Sequence, residues 1–326
     1  LKHADFGECI NNKLTESTAI TMTMTENVLK LFGYRLWCLS NTGSDLEKAI
    51  ASLVAGTVDG LFISRVRGFI GGNLDALTQV PNLRILGIGD AEGVDVSIVS
   101  RLRTLEFLEI NTASGQVDFD ELSNLKHLRV HVAKGRSFPN VFSPAMQALA
   151  LWNLGANDLD LLKNFPLLTS LELVQARKIK TLDGIAHAKG LKFVSISYCP
   201  NLENIDAIGA LSSVEFLELD GVKKIHGYGA IKNLKMLSKL IIMQAGPVCD
   251  LGFLAQLKKL KSVVLRKVSI KNHDLSPLTN LPLLTHISLD SKKGYQPVLS
   301  VLEKLVESRR TLTTEESSLR LPIFEK

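Results

Sequence analysis

Cysteine is scarce in these 326 residues: Cys9, Cys38, Cys199 and Cys249 are the only four, with no C-x-x-C pair and no metal-ligand spacing. That excludes a zinc-finger-type site and a dense disulfide framework. Wide spacing in a chain with 45% hydrophobic residues reads as thiols in a reducing compartment, so a cytoplasmic location is expected. A Cys9–Cys38 bridge is the alternative if the protein is secreted. No run of about 18 apolar residues occurs, which excludes a membrane-spanning helix. No secretory leader is legible, and because the first residue is Leu1 rather than Met a leader removed upstream stays open.

Charge of one sign is also lacking. The 38 Lys/Arg and 33 Asp/Glu leave +5, too small an excess to mark a nucleic-acid binder. Catalytic signatures are missing as well: there is no G-x-S-x-G, no P-loop and no H-E-x-x-H. The glycines of "GIGDAEG" (87–93) follow a strand, but no Lys-Ser/Thr comes after them. His127 and His131 lie two apart with Arg129 between them. Strand alternation puts all three on one face, and His–Arg–His is a poor nest for a cation. No enzyme activity, cofactor or metal is expected.

What the chain has in quantity is a repeat. The pattern L-x-x-L-x-L, with Ile, Val or Met allowed, occurs ten times, ending at Ile88, Ile110, Val130, Leu151, Leu173, Ile196, Leu219, Ile242, Leu265 and Leu289. Successive ends are 20 to 24 residues apart, and a weaker unit, "GLFISR" (60–65), precedes them. Each unit is a short strand plus a return of about 15 residues. Alone it cannot bury its apolar side, whereas stacked neighbours join their leucines into one core. Each such Leu or Ile contributes about 1.5–3 kcal/mol.

Over residues 58–291 this pattern resembles the leucine-rich repeat family. "NIDAIGALSSVEFLEL" (204–219) and "DLSPLTNLPLLTHISL" (274–289) are similar to its short bacterial, internalin-type repeats. The resemblance implies an α/β solenoid, a curved horseshoe with a parallel sheet on its concave side. The family also includes bacterial ubiquitin ligases with a large catalytic domain after the repeats, but here only about 36 residues follow the last strand. One column departs from the family. Where it places a bonding Asn, this chain has Ala91, Ala113, Ala133, Leu154, Ala176, Cys199, Val222, Ala245, Val268 and Lys292. The turn backbones must then be satisfied by one another or by water.

The flanks read as caps. Residues 1–57 carry a strand in "AITMTMTE" (19–26), another in "YRLWCLS" (34–40), and a helix from Ser44 as N-cap, with Glu47 as its capping-box partner, to Gly56 as its stop. Residues 292–326 carry an amphipathic helix, "QPVLSVLEKLVESRR" (296–310), with Val298, Leu299, Val301, Leu302 and Leu305 inward. A polar stretch and the apolar "LRLPIF" follow, as a strand or a loose tail.

In the family, residues flanking the strand leucines face the concavity. Here that places Trp152, Phe193, Phe216, Ile241, Met243 and Val174 in an apolar strip, with Arg129, Glu172, Glu218 and Asp220 beside it. Such a strip is the usual make-up of a protein-binding hot spot. Arg266 and Lys239 lie on the concave strands of a basic stretch: residues 223–293 hold 13 Lys/Arg against three Asp/Glu. The expectation is a monomeric, non-enzymatic protein-binding module, such as a bacterial effector, an adhesin-like recogniser or an immunity protein. The alternative is binding of an anionic polymer or surface through 223–293. Nucleic acid is disfavoured, because aromatics are not interleaved with these lysines.

Overall fold

A computed structural model describes residues 24–25, 27–31, 33–70, 74–89, 94–110, 117–132 and 143–312. Cys9, Asn111, Ala91, Ala113, Ala133 and the "LRLPIF" stretch lie outside the described residues, as does the first part of the 19–26 strand. The chain divides into two compact units, the second running from Asp118 to Leu319.

In the first unit, β1 (Met24–Thr25), β2 (Val28–Leu31) and β3 (Tyr34–Leu39) form an antiparallel meander. From β3 onward the pairing turns parallel, through β4 (Gly60–Ile63), β5 (Ile85–Ile88) and β6 (Phe107–Ile110). Helix α1 (Ser44–Val54) links β3 to β4. Its N-cap is Gly43, with no side-chain cap bond, and not Ser44 as the S-x-x-E spacing suggests. The Gly43 carbonyl takes the first helical bonds, accepting from the Leu46 and Glu47 N–H groups at 3.0 and 3.3 Å, while Asn41 Oδ1 accepts from the Gly43 N–H at 3.0 Å. The Asp45 carboxylate, in the first turn, ties the helix back to β3, accepting from the Ser40 N–H, the Ser40 hydroxyl and Trp37 Nε1 at 2.7–3.2 Å. Gly56 does end the helix, at φ +67°.

This first sheet is apolar on both faces. Opposite its leucine core, Leu29, Leu31, Leu36, Cys38, Ile85 and Phe107 form a second buried cluster against Tyr34 and Phe62. Gly87 and Gly89 belong to that packing. A Cβ at Gly87 would stand 2.6 Å from the Phe62 ring, and one at Gly89 would stand 2.8 Å from it. These two glycines make room for an aromatic ring rather than for a phosphate.

The second unit is an uninterrupted parallel ladder from β7 (His127–His131) and β8 (Ala148–Trp152) through β9 (Ser170–Val174), β10 (Phe193–Ser197) and β11 (Phe216–Asp220). It continues through β12 (Lys239–Met243) and β13 (Ser262–Arg266) to β14 (His286–Leu289). Side chains alternate along a strand, so the in-register pairing turns the repeat into columns: Leu171, Val194, Leu217, Leu240 and Val263 in one, Leu173, Ile196, Leu219, Ile242 and Leu265 in the next. All ten are buried. The chain folds as a leucine-rich repeat solenoid, with the strand and return alternation that the repeat implied.

The returns are mostly 3-10 turns, such as Asp160–Asn164, Asp206–Ala210 and Gly252–Gln256. Their tight coil packs a turn into the few residues between apolar steps. Asp158, Asn204, Asp250 and Asp274 each start a return by accepting, through Oδ1, the N–H two residues on, at 2.7–3.1 Å. Tyr228 takes a leucine's place in the return column, and its buried hydroxyl donates to the Gly246 carbonyl at 2.9 Å.

The missing Asn column is compensated by backbone. Asn153, Gln175, Tyr198, Gly221, Gln244 and Lys267 each follow a strand with φ between +47° and +67°. The left-handed turn aims the N–H along the ladder. Asn153 donates to the Val174 carbonyl, Gln175 to Ser197, Tyr198 to Asp220, Gly221 to Met243 and Gln244 to Arg266, all at 2.7–3.0 Å. At the last strand the Lys267 N–H finds the Asp290 carboxylate. Leu154, Ala176, Cys199 and Val222 then point inward and are buried.

At the end of the second unit, α2 (Ser276–Thr279) is the last return and α3 (Leu299–Leu312) follows β14. Helix α3 starts three residues later than the apolar pattern suggested and buries Leu302 and Val306, whereas Val298 and Val301 are exposed. Arg309 donates to the carbonyls of Leu281 and Thr279 at 2.8 and 2.7 Å, which pins the helix. Among the described residues, no helix is long and apolar enough to cross a membrane, and Cys38, Cys199 and Cys249 carry free thiols.

Candidate partner-binding face

The strand residues that alternate with the core columns form three rows on the outer face of the second sheet. The register fixes them. One row runs Phe193, Phe216, Lys239, Ser262, His286; the next Ala150, Glu172, Ser195, Glu218, Ile241, Val264, Ser288; the third Trp152, Val174, Ser197, Asp220, Met243, Arg266. Arg129 and His131 begin the second and third rows on β7. All ten residues expected at the site therefore stand on this face, but they do not form one exposed strip.

Three local groups replace it. In the first, the Arg129 guanidinium lies 4.7 Å from the centroid of the Trp152 ring and 3.3 Å from the Glu172 carboxylate. Arg129 is buried and Trp152 half-buried, so cation–π contact and ion pair hold the indole in place. Beside it His131 Nε2 takes the Asn153 amide at 2.6 Å, and burial pushes the His131 pKa down.

In the second group, Phe193 and Phe216 stack with centroids 6.2 Å apart, and Lys239 Nζ lies 5.7 Å from the Phe216 ring. Phe193, Phe216 and Ile241 are only 5–6% exposed. This corrects the expectation of an accessible aromatic strip: lateral packing between neighbouring strands uses up these side chains. Asp220 is likewise buried and accepts from Gln244 Nε2 at 3.4 Å. Ser195 donates to Glu218 at 2.7 Å.

In the third group, Arg266 pairs with Asp290 at 2.8 Å and donates to Ser288 at 3.2 Å. Here the face opens. Ser195, Ser197 and Asp220 on β10 and β11 are buried, whereas Met243, Ser262, Val264 and Ser288 are half-buried and Arg266 and His286 exposed.

The row Lys239, Ser262 and His286 shares one offset in three consecutive repeats, each residue standing just before Leu240, Val263 or Ile287. Among the described residues, no group of three or more His, Cys, Asp or Glu is placed to hold a metal ion.

No protein-family model and no curated protein matches the sequence. Three solved structures from Listeria monocytogenes are similar in chain course. Internalin C2 is 18% identical, with 66% of this chain and 83% of that chain covered and a TM-score of 0.44. The internalin InlF is 16% identical, with 82% and 92% covered and a TM-score of 0.42. The functional domain of InlJ is 16% identical, with 71% and 53% covered and a TM-score of 0.48.

Proposed function

We propose that the protein is a non-enzymatic protein-interaction module that binds one folded partner through the outer face of its second sheet. The observation that carries this reading is the set of register-locked rows. They present half-buried Trp152, Val174 and Met243 beside charged Arg129, Glu172, Glu218 and Arg266 on a rigid parallel ladder. Side chains held in place by strand pairing lose little entropy on binding. A half-exposed Trp braced by an Arg has the make-up of an anchor that a partner pocket takes up.

In this reading Trp152 and Met243 supply contact area, and Arg266 at the open, basic end supplies orientation. Phe193, Phe216 and Ile241, packed side by side on the same face, stiffen the platform. Residues 1–57 and 292–326 serve as caps to the repeats of 58–291, a role that the burial of Leu302 and Val306 under α3 supports. The module acts as a monomer in the cytoplasm, where Cys38 and Cys199 stay reduced. The partner decides whether the role is that of effector, recogniser or immunity protein.

The test is affinity capture from the native host with the wild type and with Trp152→Ala combined with Met243→Glu. Both positions are partly exposed, so the double variant keeps its fold, checked by circular dichroism. Loss of the captured partner is the expected result. Equal recovery by the folded double variant overturns the assignment of this face.

A further inference from the structure

Lys239, Ser262 and His286 occupy the same row on β12, β13 and β14, each in register with the next. Strand spacing places Lys239 and His286 about 10 Å apart, with Ser262 midway. Among the described residues, neither Lys239 Nζ nor the Ser262 hydroxyl nor the His286 ring has a hydrogen-bonded or ion-paired partner in the structure. The polar contact of Lys239 is the Phe216 ring.

The carboxylates nearby are committed elsewhere. Glu218, facing Lys239 from β11, accepts from Ser195, and Asp290, after β14, pairs with Arg266. From α3, Arg310 adds a further positive charge facing His286. Three donors and two fixed cationic charges thus converge where the face is open and the local sequence holds 13 Lys/Arg against three Asp/Glu.

We infer that the Lys239–Ser262–His286 row is an anion seat that receives a carboxylate from an acidic segment of the protein partner. This rests on the outer face being the binding face, and it names what the partner brings to it. A carboxylate over Ser262 accepts from the serine hydroxyl and lies within reach of the lysine and the imidazole. It also relieves a field that acts on both bases. Burial pushes the Lys239 pKa down, with Glu218 opposing. Burial also pushes His286 down, aided by Lys239 and Arg310. An anion beside these two bases favours their charged forms and shifts both back upward. The stacked Phe193–Phe216 pair beneath the lysine stem lowers the local dielectric, which strengthens the charged contact.

The probe is a fluorescein-labelled peptide containing six consecutive glutamates, with a six-glutamine peptide as control, followed by anisotropy at low and moderate salt. The expected results are binding of the Glu peptide alone and weakening by about thirtyfold or more in Lys239→Gln, the low end for removing one partner of a desolvated charge pair. Ser262→Ala should show a smaller loss, and Lys258→Gln with Lys259→Gln, away from the row, less than a twofold change. In histidine-resolved NMR the His286 resonance should titrate at higher pH with peptide bound.

Equal weakening by the Lys258/Lys259 variant, or equal binding of heparin and of the peptide with no His286 response, overturns the seat in favour of diffuse attraction to any polyanion. Binding that appears only after Glu315→Gln and Glu316→Gln assigns the row to the chain's own acidic stretch and overturns the partner assignment. Capture of the native partner is read separately through Trp152 and Met243. If capture persists while the peptide fails, the seat alone is rejected.

Discussion

The ring of Phe193 lies on the ring of Phe216, with centroids 6.2 Å apart and planes 27° from parallel. The two residues are 23 apart in sequence and directly opposed in the ladder. Their stacking joins β10 to β11 and leaves only 5–6% of either residue exposed. Phe216→Glu places a charge in a site only 6% exposed and should cost about 3–5 kcal/mol or more. Trp152→Ala, at a half-buried position, should cost about 1 kcal/mol. Urea unfolding of the two variants checks the contrast.

The left-handed residues after the strands give a second test. Gly221 has φ +67°, and a Cβ there would stand 2.7 Å from the Tyr198 ring. Gly221→Ala should destabilise by about 1–2 kcal/mol, the ordinary cost of that conformation for an L-residue, plus the displacement of Tyr198. Gln175→Gly, at φ +57°, relieves the same cost and should be neutral or stabilising by up to about 1 kcal/mol. Equal losses in both variants would contradict this reading of the turns.

Much of this architecture is legible in the leucines, because a period of 20 to 24 residues with strand alternation admits one register. Exposure is not legible. Whether Phe193 and Phe216 face solvent depends on two rings meeting across strands, which a column of letters does not encode. The turn solution is hidden for another reason. Gln175, Gln244 and Lys267 are not the residues that announce a left-handed backbone, and only the ladder they complete shows why they adopt it. Ser44 misled because the helix begins one residue earlier, at the Gly43 carbonyl, which accepts from the Leu46 and Glu47 N–H groups. In the first unit Phe62, Ile85 and Phe107 pack with Leu29 and Leu31, and the antiparallel β2 that carries those two leucines has no repeat signature to announce it.

Acid should weaken the fold through His131. Burial lowers its pKa, so below the ordinary histidine range, about 6.5, the unfolded chain binds a proton that the native ring does not. Stability is therefore full above that pH and declines as pH falls toward the native value. The melting temperature of the wild type should drop between pH 7.5 and 5.5. His131→Gln, which keeps an acceptor for the Asn153 amide, should show a smaller drop.

Thiol reactivity should follow burial. The Cys199 thiol is pushed up to about 11 by desolvation, and Cys38 is raised for the same reason. The thiolate is the reacting form. In the native protein at pH 8, Cys249, which is exposed, should react with a disulfide reagent within minutes. Cys38 and Cys199 should react only after unfolding, as followed by mass spectrometry of labelled peptides.

The central claim, that a partner rests on the outer face of the second sheet, is tested most directly by photo-cross-linking. A photoreactive amino acid replaces Met243, half-buried on that face, and separately Met236, which is 39% exposed in the segment leading from a return into β12. The account predicts that the captured partner cross-links from position 243 and not from position 236. Cross-linking from 236 with none from 243 would place the partner off the outer face and contradict it.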